Sequence, residues 1–128
     1  MVATATCWRS IIFRMSHYHD PGDRKYLKEL ATAAPDAHQS FAVFNEMALG
    51  RDEAEIPKKY RELIAIGVAL TTQCPYCIDS HVRAARNAGA SETELSETVA
   101  VAAALRAGAA MTHGAMALKL YRGEGDGD

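Results

Sequence analysis

Two stretches of this chain carry no polar side chain at all: "LIAIGVAL" from Leu63 to Leu70 and "VAVAAAL" from Val99 to Leu105. A helix through either has no face suited to water, so it must be covered on nearly every side. Both are far short of the roughly 20 apolar residues that cross a bilayer, so they do not read as membrane spans. The chain has 128 residues, enough for one domain with one core. A domain of that size has difficulty surrounding two such helices by itself. Ala and Gly are abundant, so helices can approach closely, across subunits as well as within one. An obligate homo-oligomer is the expected solution.

Punctuation along the sequence supports helices throughout. "RKYLKELATAA" sets Tyr26, Leu27, Leu30 and Ala31 on one side. Pro35 opens a second segment with Phe41, Phe44, Met47 and Ala48 as its apolar positions and Gly50 as a stop. Pro57 starts a third, and a fourth runs from near Pro75 to Gly89. "SETE" from Ser91 to Glu94 is a capping box that starts a fifth. Small residues then lead into "MTHGAMALKLYRG", read as a last helix. No stretch alternates as a strand does. The expected fold is all-α, a compact bundle of about six helices with a helical hairpin carrying the cysteines. Residues 1–23 read as an N-terminal extension that is mobile or docks on a neighbouring subunit, with Met15 an alternative start. Residues 24–122 read as the helical domain and 123–128 as a frayed, disordered tail.

The net charge of −2 is spread over both signs. No basic run or basic-aromatic stripe points to nucleic acid. Cysteines number three, two of them clustered, which is not the even set of a disulfide scaffold. It fits a reducing cytoplasm, where a close pair is more often catalytic or metal-binding than structural.

That pair lies in "QCPYCIDSH", with Cys74 and Cys77 three residues apart and His81 four further on. On a helix opened by Pro75, all three fall on one face. Cys77 lies in the first turn, where free amides and the helix dipole favour an anion such as a thiolate. An imidazole at position 81 can take or return the thiol proton. If the third and fourth helices form a hairpin turning near Thr72 or Gln73, Glu62 comes level with residues 81 to 84, beside His81. Glu62 also borders the apolar stretch, so its carboxylate is partly buried, a setting that suits proton transfer. The plainer reading pairs Glu62 with Lys58 or Lys59 on the surface. Zinc is the chemical rival, with Cys74, Cys77 and His81 as ligands and Glu62 or His113 as a fourth. The second Cys/His pair usual in structural zinc sites is missing. Tyr76 reads either as a channel wall or as an exposed aromatic. Arg106 reads as a charge that pairs across a subunit contact.

With Glu62, Cys74, Cys77 and His81 inside "YRELIAIGVALTTQCPYCIDSHVRAARNAGAS", the sequence resembles the alkylhydroperoxidase D / carboxymuconolactone decarboxylase family, from about Lys25 to Tyr121. The resemblance implies a helical core and a thiol-dependent peroxidase or dithiol-disulfide oxidoreductase that reduces alkyl hydroperoxides. It implies Cys77 as the attacking thiol, Cys74 as the more exposed resolving thiol, and Glu62 and His81 as a proton relay. It further implies a redox-active Cys74–Cys77 disulfide with no bound cofactor, reduced by a lipoyl-carrying or thioredoxin-like donor. Trimers or hexamers are the implied assemblies. Tyr76 departs from the founding type, which has a histidine there. Decarboxylase members generally lack the cysteine pair, which argues against a carboxymuconolactone decarboxylase-like lyase, the remaining alternative.

Overall fold

The computed structural model describes residues 20–124. The expectations for residues 1–19, Cys7 among them, and for 125–128 lie outside that range. After a 3-10 turn at Pro21–Asp23 come five α-helices: α1 (Arg24–Ala33), α2 (Pro35–Asn45), α3 (Lys58–Thr72), α4 (Pro75–Asn87) and α5 (Glu92–Tyr121). A π-helical turn, Glu46–Gly50, extends α2. Among the described residues there is no strand, and the fold is all-α as expected.

Local chemistry sets the boundaries. Pro35 and Pro75 occupy first helical positions, where their missing N–H groups cost nothing. Ser91 and Glu94 form the expected capping box: the Ser91 hydroxyl accepts from the Glu94 amide at 3.1 Å, and the Glu94 carboxylate accepts from the Ser91 amide at 2.8 Å. A serine cap of this kind contributes about 1 kcal/mol.

One boundary differs from the sequence reading. The fifth and sixth helices anticipated there are a single 30-residue helix, α5. Gly108 and Gly114 lie within it, and an isolated glycine costs a helix only about 1 kcal/mol relative to alanine. With no proline or cap between Gly108 and Gly114, and Ala, Met and Leu around them, the helix continues.

The core lies where α3 meets α4 and the first half of α5. Leu63, Ile66 and Ala85 are buried together, with Leu70, Val82, Ala90 and Leu95 packed against them. Ala102 of α5 is buried too, and a Cβ added at Gly67 would meet Thr98 at 3.8 Å, so small residues bring α3 and α5 close. Lys59 of α3 donates to Glu94 of α5 at 2.7 Å. This bond holds the Glu94 carboxyl below its usual range and the Lys59 ammonium above its own. The tie is therefore present at neutral pH and is lost as pH falls through the depressed Glu94 value.

The apolar stretches are only half covered by their own chain. On α3, Ile66 and Ala69 are buried, whereas Ile64 and Val68 remain more than half exposed. On α5, Val101 and Leu105 are likewise open. Between them runs an apolar groove of about 730 Å³. Phe41 and Phe44 of α2 are also exposed, so the apolar sides foreseen for the early helices exist but are uncovered.

Candidate active site

The α3–α4 hairpin positions the site. α3 ends on Gln73, whose left-handed backbone (φ 57°) reverses the chain in one residue. The Cys74 amide donates back to the Ala69 carbonyl at 3.0 Å. Cys74 then caps α4: its sulfur accepts from the Cys77 amide at 3.3 Å. Sequence reasoning placed Cys77 in the first turn as the thiol favoured there, yet the Cys77 amide points at the sulfur of Cys74. A thiolate there gains the stabilisation of the helix terminus.

Cys74 and Cys77 are joined as a disulfide, with their Cα atoms 5.3 Å apart. Both residues are partly exposed. One turn further along α4, His81 faces Glu62 of α3. Its Nδ1 lies 2.7 Å from Glu62 Oε2. Glu62 is only 4% exposed, and His81 is partly exposed. The expected neighbour relation between these two residues is thus present, and the surface pairing of Glu62 with lysine is not, because Lys59 turns to Glu94 instead. Among the described residues, His81 Nε2 makes no hydrogen bond, which leaves that nitrogen open to exchange a proton. A buried carboxylate against one ring nitrogen fixes the orientation of the imidazole.

The two sulfurs are bonded to each other, and among the described residues no three His, Cys, Asp or Glu side chains gather as a metal site.

Several contacts at the site's edge had no signal in the sequence. Arg61, beside Glu62, is buried and donates to the carbonyls of Leu49, at 2.8 Å, and Arg51. It ties the π turn to α3. The start of α1 crosses the first turns of α4: Asp23 accepts from the Tyr76 hydroxyl, and Arg24 donates to Asp79 at 2.6 Å and to Ser80 at 3.0 Å. The Asp23 carboxylate holds the Tyr76 phenol above its usual pKa. Within the chain, Arg106 donates to the Thr71 carbonyl at the end of α3. His113 lies on the exposed part of α5.

Residues 35–120, more than half of the chain, match the family model of the carboxymuconolactone decarboxylase family. The chain belongs to this family. It includes alkylhydroperoxidase D-like members as well as decarboxylases, so membership points to an enzyme of one of these kinds. A relative from Paracoccus denitrificans, "Uncharacterized protein 4 in cox locus", is 37% identical over 92 residues, covering 72% of this chain and 81% of the relative. A crystal structure of a Methanobacterium thermoautotrophicum protein superposes with a TM-score of 0.61 at 32% identity, covering 68% of this chain and 96% of that one. A carboxymuconolactone decarboxylase family protein from Legionella pneumophila, also a crystal structure, gives 0.60 at 27% identity, over 77% and 87% of the two chains. Among the described residues, no helix is long and apolar enough to cross a membrane.

Proposed function

We propose that this family member is a thiol-dependent peroxidase that reduces organic hydroperoxides through Cys74 and Cys77. The observation that carries the reading is the contact between buried Glu62 and His81, one helical turn beyond the cysteine pair. In the first step the Cys77 thiolate attacks the outer oxygen of R–O–OH. The S–O bond forms, the O–O bond breaks, and Cys77 becomes a sulfenic acid. The alkoxide leaves and takes up the proton that Cys77 gave up, carried by His81 with Glu62 stabilising the imidazolium. The carrying step needs a direct contact or one water between Cys77 and His81.

In the second step the Cys74 thiolate attacks the sulfenic sulfur, the disulfide forms, and water leaves. The Cys77 amide aimed at the Cys74 sulfur supports this role by stabilising the attacking anion. The disulfide is the oxidised resting product. A protein dithiol, of the lipoyl-carrying or thioredoxin-like class, returns two electrons and two protons by thiol-disulfide exchange. The decarboxylase alternative draws on family membership alone, whereas the Glu62–His81–Cys77–Cys74 arrangement supplies both a nucleophile and its proton carrier.

Cys74→Ser protein, reduced and given one equivalent of cumene hydroperoxide, is expected to accumulate a sulfenic acid on Cys77 that dimedone traps for mass spectrometry. Trapping on Cys74 alone, in Cys77→Ser protein, reverses the two roles. No adduct in either variant removes the peroxidase reading.

A further inference from the structure

We propose that the cleft between α1 and α4 receives the organic group of the hydroperoxide, and that Leu27 and Tyr76 set its selectivity. The inference rests on the peroxidase reading and specifies its substrate site. The cleft holds about 270 Å³ and is lined by Asp23, Arg24, Leu27, Tyr76 and Ser80. That is just below the usual range for ligand sites, with room for a compact branched or aryl group.

Its position follows from helix geometry. Tyr76 and Ser80 form one stripe of α4, four residues apart. Cys77 and His81 form the adjacent stripe, about 100° around the helix. Neither Cys77 nor His81 is among the residues lining the cleft, so a molecule whose body lies against Tyr76 and Ser80 must extend one stripe around α4 to bring its O–O bond to them.

Its chemistry follows from the wall contacts. The Tyr76 hydroxyl bonds to Asp23, which fixes the ring across the cleft. Arg24 bonds to Asp79 and Ser80. Arg24 is neutralised by Asp79 and the Asp23 carboxylate adds negative charge, so the cleft offers little to attract an anion. The Leu27 side chain and the Tyr76 ring remain as apolar walls for a neutral group. Asp23, Arg24 and Leu27 precede residue 35, where the family match begins. One wall of the cleft is therefore supplied by a part of the chain outside that match.

Leu27→Trp tests this by filling the cleft. Leu27 is 57% exposed, and α1 has no buried residue, so the substitution leaves the core untouched. Oxidation of the reduced protein is followed by stopped flow with cumene hydroperoxide and with hydrogen peroxide, which has no organic group. The cumene hydroperoxide rate is expected to fall by about tenfold or more, the range that apolar contacts give to substrate discrimination, with the hydrogen peroxide rate unchanged. Leu27→Met, similar in bulk, keeps both rates. Equal loss with both peroxides, or no loss with either, overturns the cleft. If neither peroxide oxidises the wild-type thiols, the peroxidase reading itself falls.

Discussion

Glu62→Gln is expected to slow alkylation of Cys77 near neutral pH by about 10²-fold, the lower end of what positioned acid-base groups contribute. The substitution is nearly isosteric and keeps a hydrogen-bond acceptor for His81 Nδ1. What it removes is the buried charge 2.7 Å from the ring that stabilises the imidazolium. His81→Asn should give a comparable loss. The double variant should be little worse than the worse single one, because residues acting as one unit are not additive. The measurement is the pH profile of iodoacetamide alkylation in a Cys74→Ser background, where Cys77 is the reporting thiol. Unchanged profiles in both single variants remove the relay. Additive losses mean that the two residues act separately.

Val68→Glu, and independently Val101→Glu, are expected to break a homo-oligomer into monomers. Within one chain α3 and α5 leave large apolar side chains uncovered, among them Ile64, Val68, Val101 and Leu105. The groove between α3 and α5 is an apolar part of the exposed helical surface. Val68 and Val101 are 56% and 62% exposed within one chain, so a glutamate at either costs the monomer little. Facing an apolar partner surface it costs on the order of 3 kcal/mol, more than a hundredfold in Kd. Light scattering should report a trimer or hexamer for the wild type and a smaller species for the variants, with unchanged helical circular dichroism. A monodisperse wild-type monomer at micromolar concentration contradicts this assembly.

The relation of Glu62 to His81 was legible because it needs only counting. Helical rise is constant, the hairpin turns on the single residue Gln73, and a residue eleven before the turn must lie level with one a similar distance after it. The capping box at Ser91 was legible for the same reason: its geometry is local. What sequence did not give depends on contacts between distant segments. Arg61 looks like any surface arginine until the chain between Leu49 and Arg51 folds back over it. Arg106 reads as a charge for a neighbouring subunit until α5 runs parallel along α3 and brings it to the Thr71 carbonyl. The crossing of Asp23 and Arg24 over α4 joins residues more than fifty positions apart, and no periodicity records it. The unbroken α5 was missed for a different reason: the small residues around Gly108 were read as a break, although their cost is small against 30 residues of otherwise favourable helix.

A thiol count is the most direct test of the peroxidase reading. The fully reduced protein has three cysteines, and it is titrated before and after one equivalent of cumene hydroperoxide. Two thiols should disappear per chain, with a Cys74–Cys77 peptide crosslink by mass spectrometry and one equivalent of cumyl alcohol formed. Three thiols remaining, with the hydroperoxide intact, would contradict the account.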